Sequence, residues 1–163
     1  MAVVDYFLKV DGVEGESQDK THKGEIQLES WSWGENQTGT ASKGSGMGAG
    51  KVSMDDFEFH KNVDKASPKL MLKCATGEHI PNVLLTCRKA GKDQQEYLKI
   101  SFKDTLISSC HVDGSGIGDI LPTETVKFNF SAIKVEYREQ KPDGSLGGST
   151  VFEYDLKKMD AKF

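Results

Sequence analysis

Apolar and polar residues alternate along most of this chain, and in several runs the alternation changes phase partway. Val4, Tyr6, Leu8 and Val10 share one parity while Asp5 and Lys9 take the other, which predicts a strand over residues 3–10. A second strand is predicted over 25–33, where Ile26 and Leu28 alternate with Gln27 and Glu29. There the phase slips: Trp31 and Trp33 fall on odd positions and Ser30 and Ser32 on even ones. Side chains on a strand point to opposite faces in turn, so a one-residue slip turns the whole set over. Such a strand either carries a bulge or presents apolar surface on both sides, the second case hinting at a partner. The run 52–60 slips too, from Val52 and Met54 to Phe57 and Phe59 across Asp55-Asp56.

The same pattern organises the second half. Strands are predicted over 83–89, over 96–112 (Leu98, Ile100, Phe102, then Ile107) and over 124–137 (Val126, Phe128, Phe130, then Ile133, Val135, Tyr137). A last one is predicted over 150–157, and Lys141-Pro142-Asp143-Gly144 marks a hairpin turn before it. Only 67–76 reads as helix: Ser67 is the expected N-cap, Pro68 suits the first turn, and Gly77 supplies a left-handed stop. Gly12 to Gly24 has no period and reads as a polar connection. These elements define an all-β barrel or sandwich with one short helix, its long slipped strands bending from one sheet to another.

Composition narrows the functions. At 163 residues the chain suits one domain, 1–163, able to bury about 70% of its unfolded surface. A formal net charge of -4 argues against nucleic-acid binding, which needs a basic footprint. No apolar run approaches the roughly 20 residues of a membrane span, and the first ten residues lack the features of a secretory signal. The three cysteines, Cys74, Cys87 and Cys110, have no C-x-x-C spacing and read as reduced, buried thiols.

Several motifs suggest chemistry and fail on detail. Gly44 to Lys51 imitates a phosphate loop, but Ser45 and Val52 stand where Gly and Ser or Thr are required, and a strand follows where a helix should. A pliable arm over 39–50 is the better reading, and a partner surface would have to order it. Asp113 to Asp119 is one copy of a calcium-like repeat that works only in tandem. His22, His60, His79 and His111 are dispersed, and adjacent Cys110 and His111 point to opposite faces of a strand. No catalytic set, metal site or cofactor site is predicted.

Six segments occur in an order that carries more information than any one of them. They are Gly15-Glu16-Ser17, Asp19-Lys20-Thr21-His22, Ser30-Trp31-Ser32-Trp33-Gly34, Gly48-Ala49-Gly50-Lys51, Asp64-Lys65-Ala66-Ser67-Pro68 and Arg88-Lys89-Ala90-Gly91. Together they closely resemble the Hcp (haemolysin-coregulated protein) family, the inner-tube component of the bacterial type VI secretion system. The resemblance covers nearly the whole chain and departs from the family in the arm, where Lys43-Gly44-Ser45-Gly46-Met47 interrupts the glycine run. It implies a two-sheet β-barrel with one short α-helix and a homohexameric ring. Rings would stack into a tube inside a contractile sheath, capped by a spike protein and carrying small effector proteins in the lumen. It further implies a cytoplasmic protein expelled without a signal peptide, and the end at Phe163 leaves no room for an appended toxin domain.

Two site expectations follow from the resemblance. Ser30 and Ser32, opposite the dry tryptophan face, would line the lumen and contact effectors. Gly39, Gly44, Gly46, Gly48 and Gly50 would form an arm engaging a neighbouring subunit or ring. The competing reading from the residues is a monomeric β-barrel ligand- or carbohydrate-binding module, with an enzyme third.

Overall fold

The computed structural model describes residues 4–39, 50–91, 93–118 and 120–163. Its elements in chain order are β1 (Val4–Val10), β2 (Ile26–Leu28), β3 (Ser30–Ser32), β4 (Glu35–Gln37), β5 (Val52–Met54), β6 (Phe57–Asn62) and α1 (Ser67–Thr76). Then follow β7 (Ile80–Lys89), β8 (Glu96–Asp113), β9 (Thr123–Asn129), β10 (Ala132–Gln140) and β11 (Leu146–Asp155). The chain is mostly strand, with one short helix among the described residues.

The hydrogen-bonded path runs β2-β1-β7-β8-β9-β6-β3, and β10 pairs with both β8 and β11. β8 is the shared wall. Its first half pairs with β7 and β10, up to Lys103 opposite Ala132, and its second half pairs with β9 from Leu106 opposite Asn129. The two halves face each other across one core, where the Phe102 ring lies 5.0 Å from Phe57 and 4.9 Å from Phe128 between centroids.

The expected two-sheet β-barrel is corrected to open sheets. β2 and β3 stand at the two ends of the path and do not pair with each other. They are joined only through Glu29, whose N–H donates to the His60 carbonyl at 2.9 Å. This corner also explains the phase slip. Ile26 and Leu28 enter the core from one sheet, Glu29 and Ser30 are exposed, and Trp31 packs on the same core from the other sheet. The slip therefore reflects a change of sheet within one subunit, and not apolar surface on two sides.

The other slips have the same origin. Asp55 and Asp56 separate β5 from β6, so the run 52–60 is two strands. In β8, Asp104 adopts φ 51, a left-handed value costly for a side chain with a Cβ, and burial passes from Ile100 and Phe102 to Thr105 and Ile107. The expected single strand over 124–137 is interrupted at Phe130 and Ser131, where Ser131 N–H donates to the Lys103 carbonyl.

Two local expectations change. Ser67 is not the N-cap: Ala66 occupies that position in a helical conformation without a side-chain cap, and Ser67 is buried. Gly12–Gly24 is no loose connection but a pinned hairpin, with Gly15 N–H donating to Gly24 O at 2.8 Å and Ser17 N–H to Glu25 O at 3.0 Å. The Gly77 stop holds, with φ 70 and its N–H donating to Lys73 O. So does the turn at Gly144, with φ 89 between β10 and β11.

Candidate functional site

The sheet half built from β3, β6, β9 and the end of β8 has two unlike faces. Directly paired residues share a face, so pairing defines each row across the sheet. Ser30 pairs with His60, His60 with Thr125, and Thr125 with His111. The adjacent row is Ser32, Glu58, Lys127 and Ser109. Both serines are exposed. Within these rows the His60 ring nitrogen Nδ1 lies 2.9 Å from Thr125 Oγ1, and Lys127 Nζ lies 3.9 Å from Glu58 Oε1. A shallow cleft of about 200 Å³ adjoins them, lined by Ser32, Trp33, Asp55, Asp56, Glu58 and Lys127.

The opposite face is dry. Trp31 pairs with Phe59, and Phe59 with Val126, while Phe57 pairs with Phe128. Trp31 stacks on Phe57 with centroids 5.8 Å apart and meets the Tyr6 ring edge-on at 6.2 Å. Trp33 tilts against Phe130 at 6.4 Å. Both tryptophans are half-buried and pack on the core, so serine and tryptophan separate by face as the spacing predicts.

The wet face carries small hydroxyls, two histidines and one weak ion pair. Its groups can make many modest hydrogen bonds, and none of them forms a deep apolar anchor. Such a surface suits loose, reversible contact with varied partners.

The arm is only partly described. Gly39 is exposed, and a Cβ on Gly50 would collide with the Thr38 carbonyl, so the two ends of the arm lie against each other. They extend from the small β4–β5 hairpin, where Gln37 pairs with Val52. β4 was not foreseen because Glu35-Asn36-Gln37 has no apolar pattern. Gly44, Gly46 and Gly48 lie outside the described residues.

Two buried polar clusters also escaped the sequence reading. In the first, Arg88 donates to Asp19 Oδ2 at 2.6 Å and to Asp5 Oδ2 at 3.1 Å, with its guanidinium 4.8 Å from the Phe7 ring centroid. The hydrogen bond from Arg88 holds the Asp19 carboxyl well below the usual carboxylate range, and Asp19 in turn raises Arg88. His22 stacks on the same Phe7 ring, centroids 4.4 Å apart, with Glu25 at 2.9 Å and Glu96 at 2.6 Å from its two ring nitrogens. Burial alone would push the Glu96 carboxyl up, but hydrogen bonds from His22 and Lys99 bring it below its ordinary value.

In the second cluster, the fully buried Lys61 donates to Glu124 at 3.1 Å, Asp64 at 2.8 Å and Ser67 at 2.9 Å. It fastens the first turn of α1 to β6 and β9. No single-sequence signal marks the partners in these two clusters, because they lie up to 83 residues apart.

The fold is thus mostly β, with one dry and one mildly polar sheet face and no deep apolar anchor on the polar one. The sequence model of the family described as "Type VI secretion system effector, Hcp" matches residues 7–137. The protein hcp1 of Pseudomonas aeruginosa is 53% identical over 149 residues, covering 91% of both chains. Among solved structures, Hcp1 from Salmonella typhimurium is 41% identical with a TM-score of 0.82, over 97% of this chain and 98% of that one. A structure described as a type six secretion system protein reaches a TM-score of 0.91 at 28% identity, over 96% and 98%. The chain belongs to the Hcp family of the type VI secretion system, whose members serve as its tube subunits.

Proposed function

We propose that six copies of this chain close into a ring lined by the polar face of β3, β6 and β9, and that the rings stack into the inner tube of the secretion machine. Residues 1–163 act as one unit. Small effector proteins ride in the lumen against Ser30 and Ser32, the contractile sheath surrounds the tube, and a spike protein caps it. The subunit waits in the cytoplasm and is expelled on firing. Residues Gly39, Gly44, Gly46, Gly48 and Gly50 belong to an arm that a neighbouring subunit or ring orders, since the β4–β5 hairpin brings few apolar anchors of its own.

The observation that supports the lumen most is the pair of polar rows, Ser30-His60-Thr125-His111 and Ser32-Glu58-Lys127-Ser109, backed by an aromatic face that packs on the core. Cargo must be held and released, which favours hydroxyl and weakly paired charged groups over hydrophobic pockets. Native mass measurement should give six chain masses per particle. Ser32→Gln should then reduce co-purification of lumenal effectors with the ring size unchanged, because it adds bulk on the wet face and removes no core contact. Retention of every cargo, or loss of the ring itself, would remove this face from the lumen.

A further inference from the structure

Cys74 and Cys110 come from distant parts of the chain, one on α1 and the other on β8, the strand that α1 packs against. Cys74 lies one helical turn beyond the fully buried Leu70, on the same face of α1. Cys110 reaches that helix through a fault in the ladder. β8 shifts register against β9 between Ile107 and Ser109, so Cys110 joins the dry face that Ile107 already occupies and pairs with Val126 there. Were the register at Ile107 carried on unbroken, Cys110 would fall opposite Thr125 on the wet face. Both thiols are half-buried, pack against the same core, and are unlinked, and α1 packs against β8 itself. Cys87 is separate from them, fully buried between Tyr6 and Leu98 on the other sheet half.

We propose that Cys74 and Cys110 form a redox-sensitive pair that stays reduced in a thiol-rich compartment and closes into an intrachain disulfide when the protein meets a small-molecule disulfide oxidant. With oxidised glutathione, the Cys74 thiolate attacks one sulfur of the oxidant and expels one glutathione thiolate, leaving a mixed disulfide on Cys74. The Cys110 thiolate then attacks the Cys74 sulfur and expels the second glutathione. The protein loses two thiol protons and two electrons, and the oxidant becomes two glutathione thiols. Burial, then the neighbouring Cys74 and Glu124, push the Cys110 thiol up to about 12, so it is the slower nucleophile and acts second, where proximity compensates. The link would rivet α1 to β8 across the chain between them and constrain the unfolded state. That the crosslink forms only after expulsion rests on the export reading above; the thiol chemistry itself does not.

The test uses the reduced 163-residue chain, incubated with oxidised glutathione and quenched by alkylation. The expected product is a monomeric chain lighter by two hydrogens, with a peptide joining Cys74 to Cys110 and Cys87 still alkylated after unfolding. Its urea midpoint should rise above that of the reduced protein. Cys74→Ser and Cys110→Ser should each abolish both the linked peptide and the midpoint shift. A stable glutathione adduct on Cys74, covalent dimers, or three unreacted thiols would overturn the proposal. If a serine variant loses its fold, the linked peptide in the parent protein still decides the matter. Failure here leaves the ring mass unaffected, so it is distinguishable from failure of the tube reading.

Discussion

Single side chains decide how this subunit responds to acid and to loss of buried charge. The folded Asp19 carboxyl lies lower than it would in an unfolded chain, because Arg88 hydrogen-bonds its ionised form. Its contribution is therefore complete above the ordinary carboxylate value of roughly 4 and is lost as pH falls through the lower folded value. Glu96, held down by His22 and Lys99 against its burial, adds to the same slope. Urea titrations at falling pH should show stability declining below about pH 4, and Asp19→Asn should flatten part of that decline. Lys61 poses a different case, since it and Glu124 are both fully buried. Lys61→Met should cost about 3–5 kcal/mol in the same titration by stranding Glu124, whereas a second change, Glu124→Leu, should restore much of the loss. Full stability in the single variant would show that water reaches Glu124.

At the level of elements, the backbone explains which expectations the alternation could support. The strands from Val4, Ile80 and Glu96, the helix with its Gly77 stop, and the turn at Gly144 were legible because each rests on local period or local φ. The corner at Glu29 and the interruption at Phe130 and Ser131 were visible only as phase slips, since a slip does not say whether a chain bulges, breaks or changes sheet. The 12–24 hairpin was illegible because its partners, Arg88 and Glu96, arrive from strands far along the chain. Ser30 and Ser32 were found by simple alternation with Trp31 and Trp33, whereas the rest of their rows required the pairing of β6 and β9. Gly15 illustrates how tightly that hairpin is made: a Cβ there would sit 2.5 Å from the Glu25 carbonyl oxygen. Gly15→Ala should lower stability by on the order of 2 kcal/mol and should weaken amide protection at Ser17 and Gly24 in hydrogen exchange. Unchanged protection would mean the hairpin yields without loss.

For the whole molecule, the aromatic layer between the two sheet halves is the common support of core and polar face. Trp31→Ala removes contacts with Phe57 and Tyr6 and should cost about 3 kcal/mol, read as a lower thermal midpoint. Because Ser32 on the reverse side keeps its backbone pairing with Glu58, surviving protein should still form particles of the parent's mass. The open path that ends in β2 and β3 also carries a kinetic consequence. Val4 is registered against Lys89 and Phe57 against Phe128, so neither half can be completed until most of the chain has left the ribosome. Distant pairings must be brought together before they gain stability from one another, which places refolding on the order of milliseconds to seconds. Until β9 has emerged, β6 lacks the strand that its register requires, and Phe57 has no Phe128 to pair with. A newly made chain therefore passes through a period in which part of its aromatic layer is bare and open to its sister copies.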